Sequence, residues 1–599
     1  MLLFRDFSQQ LSQIEKVSSR LQITALLAEL LQKIEPAECP AIFNLLQGQL
    51  LPPWEKADLF LADKMIIKTL ARLDEVGHES LFGEVDRDFS ELALSEQEKK
   101  VRQLVKQVGD LGQAAEQIVE DSASQSKNLS IHEVYEELLN IAAQTGSGSQ
   151  EAKINLLRDL LLNTDGLSAR FIVRIIAGKL RLGMSQATFL DALSWTIHGD
   201  KTDSAQLEDA LQKRADLAQL AATYLFARNS KKRTHSLTNY SARLGTPIIN
   251  ALCQRLNSAA DIIDKMTEVI AEPKYDGLRT QIHFYRESSS LRVKAFTRNL
   301  NDVSQMYPEL TQLAQFLDQQ GITNAIFDSE VVGITKDGQV AQFQETMTRR
   351  RLNDVAQKAQ ELPARFFIFD LLFLNDRELL NTPLSERKEL LSRSLPHSTP
   401  FWEVTQFIQT DNATVLHDFH NQQLKVGLEG AVIKQVNSIY QSGRKGWSWV
   451  KIKEAEGTRG KLSDTLDLVI MGYYLGRGRR HDLGLGAILV GVRDEHSDKL
   501  LSISKVGTGF TDEQLTLLKQ KLFPLKLDSK PALYEVDKTI APDIWVEPVV
   551  VVEIAADDLT DSKIHTSQKS LRFPRLISFR DDKNAADATA ISELSSITL

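Results

Sequence analysis

The feature that most limits what this chain can become is a change in the period of its apolar residues near residue 240. Before that point they recur every three or four positions. Ile131, Val134, Tyr135, Leu138, Leu139 and Ala142 are one such set, and they fall on one face of a helix. Ser130, with Glu133 three residues on, has the spacing of a capping box at the start of that helix. Leu51-Pro52-Pro53, Gly109-Asp110-Leu111-Gly112 and Gly146-Ser147-Gly148-Ser149 punctuate the region as turns, and no alternating run persists in it. Beyond it the texture is mixed. Leu291 to Ala295 alternates, Phe366 to Leu374 runs apolar, and a helical pattern covers Tyr307 to Gln319. From residue 457 on, strand-like runs at Leu466–Leu475, Ala487–Val492, Leu500–Val506 and Val546–Ala555 surround one helix near Asp512–Leu522. The expected architecture is therefore multidomain. An all-α domain covers 1–240, an α+β domain 241–456, and a small β-barrel or sandwich 457–599. A length of 599 residues suits three or four domains.

Composition removes several classes. Apolar residues make up 42% and charged residues 25%, which is globular rather than disordered. The longest apolar runs, such as Leu468–Met471 and Val549–Val552, fall far short of the roughly 18 residues a membrane span needs. Arg5, Asp6, Glu15 and Lys16 stand where a signal peptide keeps an apolar stretch, so a cytoplasmic protein with no membrane attachment is expected. Two cysteines, Cys39 and Cys253, cannot build a disulfide framework or a Cys-rich zinc site, and both are expected as buried thiols. The net charge of -9 excludes a chain-wide polycation but leaves room for a local basic groove. Arg228 to Asn239 is basic and polar, which suits a solvated linker and a phosphate-contacting arm equally.

The sharpest local pattern is Glu272-Pro273-Lys274-Tyr275-Asp276-Gly277-Leu278-Arg279. A lysine followed by an acid, a glycine and an arginine suits a lysine nucleophile. An amine attacks only with its lone pair free, and burial beside other cations favours that form. Alone, the pattern also describes a surface turn. Further pieces follow in chain order: Thr297-Arg298-Asn299 after a strand, and Asp328-Ser329-Glu330 after an apolar triplet. Next come Phe366-Phe367-Ile368-Phe369-Asp370, Glu429-Gly430-Ala431-Val432-Ile433-Lys434, and Trp449-Val450-Lys451-Ile452-Lys453 with two lysines on one strand face. Last are Arg572-Phe573-Pro574-Arg575 and Arg580-Asp581-Asp582-Lys583.

This ordered set resembles the covalent nucleotidyltransferases, and within them the ATP-dependent DNA ligases of the archaeal and eukaryotic type. The resemblance extends over essentially the whole chain. Ser19-Arg20-Leu21, Leu46-Gln47-Gly48 and Gly178-Lys179-Leu180-Arg181-Leu182-Gly183 are similar to that family's helical DNA-binding domain. Leu466-Asp467-Leu468-Val469 and Gly476-Arg477-Gly478-Arg479-Arg480 are similar to its C-terminal OB-fold.

The resemblance implies ATP as co-substrate, Mg²⁺ as metal, and nicked double-stranded DNA as partner. It implies Lys274 as the nucleophile on the α-phosphate. Glu272 would read the adenine amino group, and Phe369 would stack on the base. Arg279 and Arg298 would hold ribose and phosphate, and Glu330 the ribose and the metal with Glu429. Lys434, Lys451 and Lys453 would neutralise phosphate. Arg572, Arg575 and Lys583 would orient the leaving pyrophosphate, and Arg477, Arg479 and Arg480 would meet DNA. A monomer in the cytoplasm or at the nucleoid is implied, with a sliding clamp as partner by family analogy only. The chain departs from the family in three places. Ser329 replaces a usual glycine, which is expected to alter a local turn. Lys445, preceded by Arg444, stands where the family has arginine, and either could fill the role. Residues 242 to 253 lack a usual proline-methionine pair.

Two other activities compete. An mRNA-capping or RNA-joining nucleotidyltransferase shares the lysine motif, but the large helical region and Arg-Phe-Pro-Arg argue against it. A non-catalytic nick-binding protein predicts eroded lysine or acid motifs, and none is eroded. NAD⁺ as donor fits poorly, because the bacterial NAD⁺ type carries a four-cysteine zinc module.

Overall fold

The computed structural model describes the chain apart from residues 1, 56–60, 74–86, 123–125, 228–236, 238–239, 257, 350–353, 444, 454–464, 477–483, 496, 498, 508–509, 557 and 598–599. For residues 87–95, 344, 453, 512, 558 and 595–597 it describes the backbone only. Nearly all of the basic segment from Arg228 to Asn239, together with Arg444, Arg477, Arg479 and Arg480, lies outside the described residues. The contacts gather into two compact units. One is Met1–Val101 with Ala114–Lys453, and the other is Arg102–Gln113 with Glu454–Leu599.

Up to Phe226 the described chain is helical, from α1 (Phe4–Glu15) to α12 (Leu217–Phe226). The capping box expected at Ser130 forms. Its hydroxyl accepts from the Glu133 N–H at 3.2 Å, and its own N–H donates to the Glu133 carboxylate at 2.7 Å. The helix that follows, Ile131–Ala143, buries Ile131, Val134, Tyr135 and Leu138 along one face. Asp110, inside one expected turn, instead starts a helix by accepting from the Gln113 N–H at 2.8 Å. The helical region is bonded to the chain that follows it. Backbone bonds run from Ala215 N–H to the Pro247 carbonyl (2.9 Å) and from Ile249 N–H to the Gln212 carbonyl (3.0 Å).

Two sheets follow in the same unit. In the first, the strand order is β1 (Gln254–Arg255), β11 (Trp449–Lys453), β10 (Gly430–Gln435), β2 (Val269–Pro273), β9 (Ile408–Thr410). Side chains alternate between the faces of a strand. One face therefore carries Ala271, Ala431, Ile433, Val450 and Ile452, which pack with Ile262 and Met266 of α13 (Ala259–Met266). The other carries Glu272, Val432, Lys434, Trp449 and Lys451, in register across β2, β10 and β11.

The second sheet runs β4 (Ser290–Thr297), β3 (Leu278–Glu287), β5 (Ala325–Gly333), β6 (Ala364–Leu374), β7 (Arg377–Glu378), with β8 (Trp402–Val404) parallel to β6. Ile282, Phe284, Phe327, Val331, Phe366 and Ile368 bury one face against α14 (Leu310–Gln319) and α15 (Leu384–Ser394). Arg279, Gln281, Asp328 and Glu330 share the opposite face. Ser329 stands within β5, so no turn is altered there. Its hydroxyl sits 2.8 Å from that of Thr280, on the core side of the sheet.

The second unit holds a larger sheet. Its centre is β12 (Leu466–Tyr474), β13 (Ala487–Arg493) and β14 (Leu500–Val506), all antiparallel neighbours. The helix α16 (Asp512–Leu522) starts where expected, capped by Thr511. The single strand expected over Val546–Ala555 divides into Ile544–Val546 and Val551–Ala555. Pro548 lies between them, and a proline has no N–H to continue a ladder.

Candidate active site

Lys274 stands in the four-residue loop between β2 and β3, at the edge where the two sheets meet. The loop is tied down on both sides. Lys274 N–H donates to the Gly430 carbonyl at 3.0 Å, and Glu429 N–H donates to the Lys274 carbonyl at 3.2 Å. Tyr275 turns away and stacks on Phe367, with centroids 3.9 Å apart. Gly277 presses against β5. A Cβ there would lie 2.4 Å from the Val331 carbonyl oxygen, so no other residue fits without moving the loop. The Lys274 ammonium pairs with the Glu429 carboxylate, and both remain partly open to solvent.

Around this amine the two sheets supply charge of both signs. Arg279 makes a two-pronged ion pair with fully buried Asp328, Nε to Oδ1 at 3.0 Å and Nη2 to Oδ2 at 2.6 Å. Its Nη1 donates to the Ala251 carbonyl at 2.6 Å. Burial opposes the Arg279 charge, but Asp328 outweighs it and holds the guanidinium above its ordinary range. The Tyr440 hydroxyl donates to Asp328 at 2.7 Å and accepts from the Ala251 N–H at 3.1 Å. Burial pushes the Glu330 carboxyl up to about 7, with Lys274 and Arg279 pulling down and Asp328 and Asp276 pushing up. Cys253 is half-buried rather than buried. Burial raises its thiol, while the charges of Arg279, Lys434, Lys451 and Lys274 all reach it and pull it back. Arg279 and Lys434 both reach the Phe369 and Trp449 rings, the guanidinium carbon 5.5 Å from each ring centre.

Phe369 owes its position to an irregularity. The register between β5 and β6 slips between Asp328 and Ser329, which face Asp370 and Ile368, so Phe369 has no partner across the ladder. Such a bulge re-aims a side chain. Phe369 lies edge-on to Trp449 with centroids 6.3 Å apart, and Lys434 Nζ is 4.5 Å from its ring centre. Glu272 is buried beneath, its Oε2 2.6 Å from Lys434 Nζ and its Oε1 paired with Lys388 Nζ.

Of the expected residues, the structure gathers Glu272, Lys274, Arg279, Glu330, Phe369, Glu429, Lys434 and Lys451. Arg298 is exposed in the turn after β4. Lys445 is 3.1 Å from Glu208 of the helical region. For Lys453 the backbone alone is described, in register with Gly430. Arg572, Arg575 and Lys583 belong to the second unit. There Lys583 Nζ lies 2.6 Å from Asp467, which also takes Arg580. In the helical region, Leu46, Gln47 and Leu180 to Gly183 line one cleft of about 440 Å³ with Ile249 and Leu300.

Sequence reasoning missed Lys388, Tyr440 and the buried Arg387–Asp370 pair (Nε to Oδ1 2.7 Å). Glu386-Arg387-Lys388-Glu389 reads as a solvated helix face, and nothing in the sequence marks two of the four as buried. For Tyr440 there was no signal either.

Family models place the chain. One described as "DNA ligase N terminus" matches residues 3–194, "ATP dependent DNA ligase domain" matches 250–453, and "ATP dependent DNA ligase C terminal region" matches 481–583. A DNA ligase of Hyperthermus butylicus is 34% identical over 623 residues, covering 99% of this chain and 96% of the relative. A probable DNA ligase of Dictyoglomus turgidum is 33% identical over 604 residues, covering 99% and 97%. A solved structure titled Pmar-Lig_Pre aligns over 96% of this chain and 98% of its own, with a TM-score of 0.52 at 18% identity, and supports the fold. With the lysine loop, its buried cations and three family models in the expected order, the chain belongs to the ATP-dependent DNA ligases.

Proposed function

We propose that this ligase seals nicks through a covalent intermediate on Lys274. Lys274 Nζ attacks the α-phosphorus of ATP. A P–N bond forms, the bond to the β-phosphate oxygen breaks, and pyrophosphate leaves. The 5′-phosphate of the nick then attacks the same phosphorus, releasing the lysine and giving DNA-adenylate. The 3′-hydroxyl attacks the nick phosphate, the phosphodiester forms, and AMP departs. The observation that carries this reading is the position of Lys274. It stands in the loop just before Arg279, and Arg279 and Lys434 converge on the same Phe369 and Trp449 rings, which places cations at the site for the charge that phosphoryl transfer must absorb.

In this reading Glu272 accepts from the adenine amino group, Phe369 stacks on the base, and Arg279 and Arg298 hold ribose and phosphate. Lys434, Lys451, Lys453 and either Arg444 or Lys445 balance the phosphates. Glu330 and Glu429 suit Mg²⁺, which takes one or two carboxylates together with phosphate oxygens and water rather than an all-protein cage. The donor set fits: Glu429 pairs with Lys274, and burial raises the Glu330 carboxyl to about 7, a cost that a bound cation would offset. Bound there, Mg²⁺ would supply charge neutralisation at the phosphates.

We read the domains as helical DNA-binding over 1–240, adenylation over 241–456 and OB-fold over 457–599. Arg572, Arg575 and Lys583 serve the leaving pyrophosphate, and the enzyme is a monomer of the cytoplasm or nucleoid. Among the described residues no helix is long and apolar enough to cross a membrane.

Incubation with α-labelled ATP, ADP, GTP and NAD⁺, scoring label bound to the chain, tests the reading. Wild type should take label from ATP, and Lys274→Ala should take none. Lys274→Ala should still seal a pre-adenylated nick. Label persisting at another residue of the variant would overturn the assignment.

A further inference from the structure

Glu272 is enclosed by more positive charge than it needs. Its side chain, Lys388 and Lys434 are each at least 97% buried, so two ammonium groups share one carboxylate out of water. Lys388 takes Oε1 and Lys434 takes Oε2. The two lysines arrive from different directions. Lys434 comes from β10 in the same sheet as Glu272, with its Nζ 4.2 Å from the Trp449 ring centre. Lys388 comes from α15, the helix that covers the other sheet, with its Nζ 5.2 Å from the ring centre of half-exposed Phe407. Burial pulls the Lys388 ammonium below its ordinary range, and Glu272 pulls it back. Breaking a buried pair by removing one partner is costly, so this arrangement fixes where each oxygen points.

We propose that Lys388 is a specificity-determining positioning residue, which clamps Oε1 of Glu272 so that the carboxylate presents a fixed acceptor to the 6-position of a purine. The inference rests on the assignment of Glu272 to the adenine amino group. A 6-amino purine donates a hydrogen there, and a carboxylate can only accept. A 6-oxo purine presents an acceptor at the same place and meets the carboxylate oxygen lone pair to lone pair. The discrimination holds only while the carboxylate cannot turn. A site that selects by one placed acceptor loses this kind of selectivity when the acceptor moves, because the wrong base is then no longer opposed. With Lys388 gone, Glu272 keeps Lys434 alone and can swing toward it. The turned carboxylate would no longer stand opposite the 6-position, and a 6-oxo group would lose the repulsion that excludes it.

The test measures adenylation of Lys274 in the full-length enzyme with ATP and with ITP, which carries a 6-oxo group and an N1–H in place of the 6-amino group and bare N1. Lys388→Met should raise the KM for ATP about tenfold while kcat changes less than threefold, and should narrow the ATP-to-ITP ratio of kcat/KM by about tenfold. Lys388→Arg should restore most of both, because it returns a cation to Oε1. A thermal melt on each variant reports whether the fold survives. If Lys388→Met leaves the ATP-to-ITP ratio unchanged while Glu272→Gln alters it, the role of Lys388 is structural and the proposal fails alone. If Glu272→Gln leaves the ratio unchanged as well, the base-reading assignment itself is wrong.

Discussion

His283 should make the adenylation fold acid-sensitive, and the size of the effect follows from its surroundings. The imidazole is fully buried on β3. Its Nδ1 accepts from the Gly245 N–H at 3.1 Å, so the proton sits on Nε2, which faces the Gln281 side-chain oxygen at 2.9 Å. Gln281 in turn accepts from the Ile248 N–H at 2.7 Å and donates to the Ile248 carbonyl at 3.2 Å. The ring is neutral by construction, since a proton on Nδ1 would confront the Gly245 N–H. Burial pushes its pKa down to about 3, with Lys294 adding to the effect. The unfolded chain therefore binds a proton between about pH 6.5 and 3 that the folded chain refuses, and stability falls as pH falls through that window. Between pH 7 and pH 5 the loss is about 2 kcal/mol, at 1.36 kcal/mol per pH unit once below 6.5. A chain of several domains has no single unfolding free energy, so the readout should be local. Hydrogen exchange of peptides covering 245–251 and 278–287, corrected for intrinsic rates, reports the opening free energy at each pH. Wild type should lose about 2 kcal/mol more than His283→Gln on going from pH 7 to pH 5. Parallel losses in the two proteins would show that the ring titrates without cost, and the reasoning from the Gly245 contact would be wrong.

Three further outcomes are expected. Gly277→Ala should cut adenylation of Lys274 about 100-fold or more, measured as rate of label uptake, because its Cβ meets a backbone oxygen that cannot yield and the amine shifts. Arg387→Met should lower the local stability of β6 by roughly 3–5 kcal/mol in hydrogen exchange, since it leaves the Asp370 carboxylate buried without its partner, while Arg387→Met with Asp370→Leu should recover much of the loss. Arg575→Ala should slow adenylation and largely spare sealing of a pre-adenylated nick, because pyrophosphate is absent from the last step; equal losses in the two half-reactions would mean a structural role.

What the sequence disclosed, and what it hid, follow from one physical difference. Periodicity placed β4, α16 and the helix at Ile131–Ala143, because alternation between faces is local and each residue's burial depends on its own element. The lysine loop was legible because Gly277 and its neighbours form a contiguous pattern. The backbone bonds that Ala215 and Ile249 make across residue 240 were not legible, since composition does not register a shared hydrogen bond. The partners of the site's carboxylates lay further out of reach. Asp328 and Arg279 are 49 positions apart, and Lys388 and Glu272 are 116 apart. Arg387 and Lys388 sit in a run that looks solvated, yet α15 spans the join between the sheets and turns both residues inward. A charged residue is buried only where another element brings its counter-charge, and that pairing is a property of how sheets and helices meet. Lys274 could therefore be named from its neighbours in sequence, while the group that fixes Glu272, and with it the choice of base, became visible only once both sheets were in place.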